Sequence, residues 1–299
     1  MATFPVIAAV DGSDHSLRGL EWALVAARLR GAEVLVVHVW PWPPNIHGAP
    51  EPLPEPPPTG QDPVLDWVRE QLEGRAGLPE VRYTTVSGAP AATLPEMGAQ
   101  GQLLVLGSRG RGGFASLLLG SNGRACAAHA ACPVVVVPHR ERGHGAVAEP
   151  YGRVVLGLEP GETIDAVVDF AFQEAGQRDS LLQVITTFPV PFSTLTLLGS
   201  YPETTDPEGP EIAREVAQAQ RDRLRIFMED RYPQVRVEFV VAPGDAAGRL
   251  VAASESSDLI VVGRHRHRLP RANRAVGSVT NAALVHARCP IAVVPGPER

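Results

Sequence analysis

The chain of 299 residues carries 27 basic and 33 acidic side chains, a formal net charge of −6, with 44% hydrophobic and 20% charged residues. That is enough for two domains with a core each, and too apolar for a disordered chain. The acidic balance argues against general nucleic-acid binding, which calls for a basic stripe.

In chain order, Phe4 to Val10 is an apolar run ending in Asp11-Gly12-Ser13-Asp14, the pattern of a buried parallel strand followed by a turn and a helix N-cap. The helix runs from about Ser16 to Arg30, with Leu17, Leu20, Leu24 and Ala27 at helical spacing and Gly31 as its stop. Glu33 to Trp40 is a second strand, and alternation of strand with helix calls for a parallel sheet. Residues 41 to 61 hold too much proline for helix or interior strand and are expected to form a mobile loop. Asp62 to Gly74 reads as a helix, Val81 to Val86 as a strand, Ala89 to Ala99 as a helix and Gln102 to Leu106 as a strand. A glycine-rich loop, a further helix and the closing strand Pro133 to Val137 follow, so five strands and four helices are complete by Pro138.

After the polar stretch 139 to 152 the same plan begins again. Val154 to Leu158 ends in Glu159-Pro160-Gly161, and Asp258 to Val262 with Gly263 repeats the fourth strand and its glycine. Gly120, Ser121, His129, Cys132 and Pro138 recur as Gly277, Ser278, His286, Cys289 and Pro295, each 157 positions on. The expected organisation is a first domain over 1–140, a linker over 141–152 and a second domain over 153–299. His129 and His286, shared by both halves, are expected to be helix-terminal packing residues and not catalysts.

The chemistry lies in the glycine loop. Gly107, two residues, Gly110, nine residues, then Gly120-Ser121 stand between a strand and a helix. These glycines are expected to turn through positive φ and let the backbone approach a ligand, with Ser121 and Asn122 capping the helix. Free N–H groups at a helix N-terminus attract anions, phosphate above all. This spacing, with the Cys-Pro-Val-Val-Val-Val-Pro strand behind it, resembles the ATP-binding branch of the universal stress protein family.

The resemblance implies two tandem doubly wound five-stranded parallel sheets of the Rossmann-like α/β class, strand order 3-2-1-4-5. Their closing strands, residues 133–137 and 290–294, would pair as an internal pseudo-dimer, and a homodimer of chains is compatible with it. It also implies ATP as ligand, with magnesium, in the first half. Asp11, Gly12 and Ser13 would meet ribose or metal-bridged phosphate, and Asp11 and Asp14 could share a magnesium with the bound phosphates. Val39 would offer its backbone to adenine, and Gly107, Ser108, Arg109, Gly110, Gly120, Ser121 and Asn122 would hold ribose and phosphates. In an open parallel sheet the ligand crevice lies beyond the carboxyl ends of the strands where their order reverses, which independently favours this placement.

The second half departs from the pattern. After Gly263 come Arg264, His265 and Arg266, so the second glycine is missing, and Glu159 replaces the aspartate. Weak or absent ATP binding is expected there, with Glu159, Gly263, Arg264, Arg266, Gly277 and Ser278 as secondary candidates for an anion held by guanidinium groups. Several chemistries are excluded. No lysine occurs, which removes a P-loop lysine and a Schiff base; Cys126, Cys132 and Cys289 have neither disulfide nor zinc spacing; and no HExxH motif or repeated Asp-x-Asp pair is found. No apolar run reaches the ~20 residues of a membrane span, so a cytoplasmic protein without membrane contact is expected. Three functions remain: a nucleotide-dependent stress-response or regulatory module, a slow ATP-hydrolysing enzyme at the same site, and a nucleotide-independent scaffold.

Overall fold

The computed structural model describes residues 4–41, 57–110, 119–138, 150–158, 165–188, 231–243, 245–264 and 276–296, with positions 215, 219, 222 and 224 between them. The expected proline-rich loop falls largely outside these residues, as do Glu159 and Arg266. In the first half the strands are β1 (Val6–Val10), β2 (Val34–Pro41), β3 (Val81–Gly88), β4 (Leu103–Gly107) and β5 (Val134–Val137). The second half supplies β6 (Arg153–Gly157), β7 (Leu181–Phe188), β8 (Val237–Pro243), β9 (Leu259–Gly263) and β10 (Ile291–Val294).

Local chemistry sets the helix ends. Helix α1 (Asp14–Arg30) is N-capped by the Ser13 hydroxyl, which accepts from the Ser16 amide, and stops at Gly31 with φ 60°. Helix α2 (Pro63–Leu72) starts at a proline whose missing N–H costs nothing there, and Asp62 caps it. Helices α3 (Pro90–Met97), α4 (Ser121–His129), α5 (Asp165–Gln177), α6 (Ala246–Ala253) and α7 (Ser278–His286) follow. His129 and His286 do end α4 and α7, but both are exposed. Both sit in a last helical turn, where a helix favours positive charge.

The strands order as β3-β2-β1-β4-β5-β10-β9-β6-β7-β8. Each half therefore has the 3-2-1-4-5 order, and all pairings within a half are parallel. The two five-stranded sheets meet edge to edge as one ten-stranded sheet. Strands β5 and β10 pair antiparallel, with Ile291 opposite Val136, Ala292 opposite Val135 and Val293 opposite Val134. Both strands are apolar and last in their order, so each would otherwise leave a row of unpaired backbone groups. Because this junction is antiparallel, the carboxyl ends of the two halves' strands point to opposite rims of the sheet.

Two apolar layers run unbroken across the junction. One packs α1, α2 and α5 against Val6, Ala8, Val135, Val154 and Ala292. The other packs α3, α4, α6 and α7 against Ile7, Leu104, Val136, Ile260 and Ile291. Burial of this kind stabilises by roughly 25 cal/mol per Å² of apolar surface. The halves therefore share hydrophobic layers and not just a hydrogen-bonded edge.

One buried polar network crosses the first layer. His38, in the middle of β2, places Nδ1 2.7 Å from Asp62 Oδ2, and Thr85 on β3 donates its hydroxyl to the same oxygen at 2.7 Å. Asp62 is fully buried and also receives the Val64 amide. A carboxylate only accepts, so Nδ1 carries the proton. Burial pushes the Asp62 carboxyl up, but the hydrogen bonds from His38 and Thr85, with the nearby imidazole and the Val64 amide, outweigh it and hold the carboxyl below its ordinary value. A depressed carboxyl contributes stability that is complete above its unfolded value, near ~3.9, and lost as pH falls through the folded one. The gap in urea midpoint between the native chain and Asp62→Asn should therefore be widest near neutral pH and shrink below about pH 4; a gap that stays constant with pH would contradict this account.

Candidate functional site

The notch at the carboxyl rim of the first half follows from strand lengths. Strand β1 pairs with β4 only from Val6 to Ala8 and ends at Val10, opposite His38. Strand β2 continues beside β3 to Pro41, and β4 continues beside β5 to Gly107. The sheet thus opens beyond β1, between the longer β2 and β4. Val39 lies on β2 one residue past the last pairing with β1, its side chain buried.

Asp11 sits at the floor of this notch. Its Oδ1 accepts from the Ser13 amide at 3.1 Å and the Ser13 hydroxyl at 2.6 Å. Ser13 in turn caps α1, so the turn and the helix start hold the carboxylate in one orientation. The tight turn itself is made by Gly12, φ 78°.

The loop glycines work differently from the expectation of positive φ. None of Gly107, Gly110 and Gly120 has it. Gly107 is the last residue of β4, and a Cβ there would stand 2.6 Å from the His15 carbonyl carbon. Gly19 of α1 approaches the same strand end, where a Cβ would meet the Gly107 nitrogen at 3.0 Å. These two glycines let α1 lie against β4, and Gly19 was not singled out in the sequence because an isolated helical glycine carries no spacing signal. At Gly110 a Cβ would overlap Asp11 Oδ2. The missing side chain therefore brings the loop backbone directly over the carboxylate. Gly120 is less constrained, since a Cβ would lie 3.5 Å from the Ser108 carbonyl.

Hydrogen bonds close the loop's base. The Ser108 amide donates to Val137 at 2.8 Å, and the Gly120 amide donates to Ser108 at 2.8 Å. Those two amides are thus committed to the fold. Helix α4 begins at Ser121, so Ser121 and Asn122 are its first residues and not its caps. Gly120, extended at φ −71° and ψ 158°, is the N-cap and offers no side chain, which leaves the first-turn amides without a side-chain cap. Ser121 is exposed and Asn122 half-buried. Arg109, between the glycines, has a buried Nε with no hydrogen-bond partner among the described residues.

The second half repeats the frame and not the cradle. Arg264 stands where Ser108 stood, its amide donating to Val294 at 2.8 Å. Gly277 is an extended N-cap for α7, and Ser278 begins that helix. The Thr280 hydroxyl donates to the Gly263 carbonyl at 3.1 Å. The Arg264 side chain, a secondary candidate for holding an anion, is buried at 9% exposure, and its Nη1 donates to the Ala130 carbonyl of the first half at 2.7 Å. The antiparallel junction decides this, by setting the second half's carboxyl rim beside the turn between α4 and β5.

Other chemistries find no support among the described residues. Cys126, Cys132 and Cys289 are buried and free, and burial pushes the Cys126 and Cys132 thiols up to about 12, far from the thiolate a nucleophile needs. Among the described residues, no group of three or more histidine, cysteine, aspartate or glutamate side chains is arranged to hold a metal. No described helix is long and apolar enough to cross a membrane.

Comparison with known proteins agrees with the repeat. The sequence model of the universal stress protein family matches residues 4–138 and again 150–295. Universal stress protein Rv2005c of Mycobacterium tuberculosis is 29% identical over 303 residues, covering 96% of both chains. Universal stress protein Rv2623 of the same organism is 29% identical over 314 residues, covering 96% of this chain and 95% of its own. A solved universal stress protein from Archaeoglobus fulgidus superposes with a TM-score of 0.63 at 16% identity, covering 99% of each chain, a likeness of fold alone. With both halves matched over nearly their whole length, the chain belongs to the universal stress protein family and carries two tandem copies of its domain.

Proposed function

We propose that the first half binds an adenine nucleotide, ATP with magnesium, and that its occupancy serves as a stress-response or regulatory signal. The observation that carries this reading is the cradle itself. Gly110 lies so close over the Asp11 carboxylate that a Cβ there would displace the Asp11 side chain, and the N-terminus of α4, without a side-chain cap, stands at the other end of the same loop. Such an N-terminus favours phosphate, through its free amides and the helix dipole. The buried Nε of Arg109, without a hydrogen-bond partner among the described residues, supports an anion here as well.

In this reading the roles divide by position. The Val39 backbone, past the last β1 pairing, meets the adenine. Asp11, its Oδ1 held by the Ser13 amide and hydroxyl in the turn made by Gly12, would face ribose or magnesium-bridged phosphate. Gly107 and Ser108 shape the loop base, Gly110 and Arg109 meet the phosphates, and Gly120, Ser121 and Asn122 present the helix start. Magnesium, when bound with the nucleotide, supplies charge neutralisation. The β5–β10 pairing supports reading the chain as an internal pseudo-dimer of one binding and one non-binding half.

The test is mass spectrometry of nucleotide released from fresh protein, followed by calorimetric titration of Mg-ATP into the stripped chain. One site per chain is expected. Two sites would give the second half a clamp of its own, and none would leave the scaffold reading.

A further inference from the structure

The second half holds one feature that neither the fold nor the nucleotide site requires. Ser108 and Arg264 are structural equivalents: each follows the fourth strand of its half, and each donates its amide to the last residue of the closing strand at 2.8 Å. Their side chains differ in reach. A serine hydroxyl extends one bond past Cβ, whereas an arginine spans most of 7 Å and ends in a five-donor fork. Arg264 uses that reach to cross the seam and donate to Ala130.

Ala130 is the C-cap of α4, its own amide bonded to Cys126 at 2.9 Å. Carbonyls at a helix C-terminus have no partner within the helix and attract cations. A buried guanidinium at that end satisfies a carbonyl that water does not reach, and pins the end of the helix. Helix α4 has nine residues, about 13 Å at 1.5 Å per residue, so its C-terminal clamp and its N-terminal amides belong to one rigid element. The clamp also runs one way, because Ser108 is too short to return the contact across the seam.

We propose that Arg264 is a positioning residue for the first half's crevice. From the second half it caps the C-terminus of α4 and fixes the helix whose N-terminus faces the ligand. The position that in the first half belongs to the binding loop has become, in the second, a built-in clamp. This inference rests on the nucleotide reading for its ligand, but the clamp itself is measurable without any ligand.

The experiment uses the full chain with Arg264→Met, which keeps the apolar stem and removes the donors, and Arg264→Lys, which keeps one charged donor. Glu174→Gln, a seam change on the opposite face of the sheet, is the control for general loosening. Amide hydrogen exchange across residues 121–129 is read first, without ligand. Exchange in α4 is expected to rise roughly tenfold in Arg264→Met and less in Arg264→Lys, and to stay unchanged in Glu174→Gln. Titration of Mg-ATP should then show affinity about fivefold to tenfold weaker for Arg264→Met, with Glu174→Gln like the native chain. Native exchange in Arg264→Met, or an equal rise in Glu174→Gln, overturns the proposal. If the native chain fails to bind Mg-ATP, the nucleotide reading falls while the exchange result still decides whether Arg264 positions α4.

Discussion

Glu174→Ala is expected to lower the unfolding free energy by roughly 3–5 kcal/mol, the cost of leaving buried charges without their counter-ion. Glu174, on α5, is fully buried between Arg30 at the end of α1 and Arg178 just past α5, whose side chains are 8% and 13% exposed. Arg30 reaches one carboxylate oxygen and Arg178 the other, the latter at 2.9 Å. Neither oxygen receives a well-aligned hydrogen bond among the described residues, so the attraction is mainly Coulombic. Burial, and for Arg30 next the neighbouring Arg178, already brings both guanidinium groups down to about 10. Arg178 also lies 5.1 Å from the Trp22 ring of α1, so the network joins the two halves twice on one face.

Removing the carboxylate leaves two buried arginines facing each other. A network of this kind is costly to break but not necessarily favourable compared with apolar side chains. The triple variant Arg30→Met, Glu174→Leu, Arg178→Met should therefore recover most of what the single change loses. Urea unfolding of the three proteins is the check. A single variant as stable as the native chain would mean that water reaches this site, and a triple variant no better than the single would mean that packing and not charge dominates.

Gly110→Val is expected to weaken Mg-ATP binding by about 100-fold or more, which corresponds to at least ~2.7 kcal/mol, while leaving the fold intact. The backbone at 110 is not in the left-handed region, so a side chain brings no conformational strain. Its Cβ would overlap Asp11 Oδ2, forcing the carboxylate out of the orientation set by Ser13 and filling the loop's inner face. Gly120→Ala supplies the contrast. A Cβ there makes only ordinary contact with the Ser108 carbonyl, so affinity within a few-fold of native is expected. Calorimetry with a thermal melt decides: native affinity in a folded Gly110→Val protein would remove the loop from the site.

The glycine loop was legible because its spacing sits between a strand and a helix, and the repeat because positions 157 apart carry the same residues. Polar residues in apolar surroundings were also readable signals, though not of their partners. His38 interrupts the run Val34–Trp40, and Glu174 stands among Phe170, Ala171, Phe172 and Ala175. Such residues announce a buried partner. Asp62 lies 24 positions from His38, and Arg30 lies in the other half of the chain, so neither partner follows from local pattern.

Sequence alone thus determined the first half's elements, their parallel arrangement, the duplication and the place of the candidate loop, because periodicity, caps and glycine spacing are local and written in neighbouring residues. Only the tertiary structure decided that β5 and β10 pair antiparallel, with Ala292 opposite Val135, that Gly107 serves helix packing while Gly110 faces Asp11, and that the Arg264 side chain reaches across to cap α4. Those outcomes depend on which surfaces meet when two antiparallel halves share one core, and residues far apart in the chain encode them jointly.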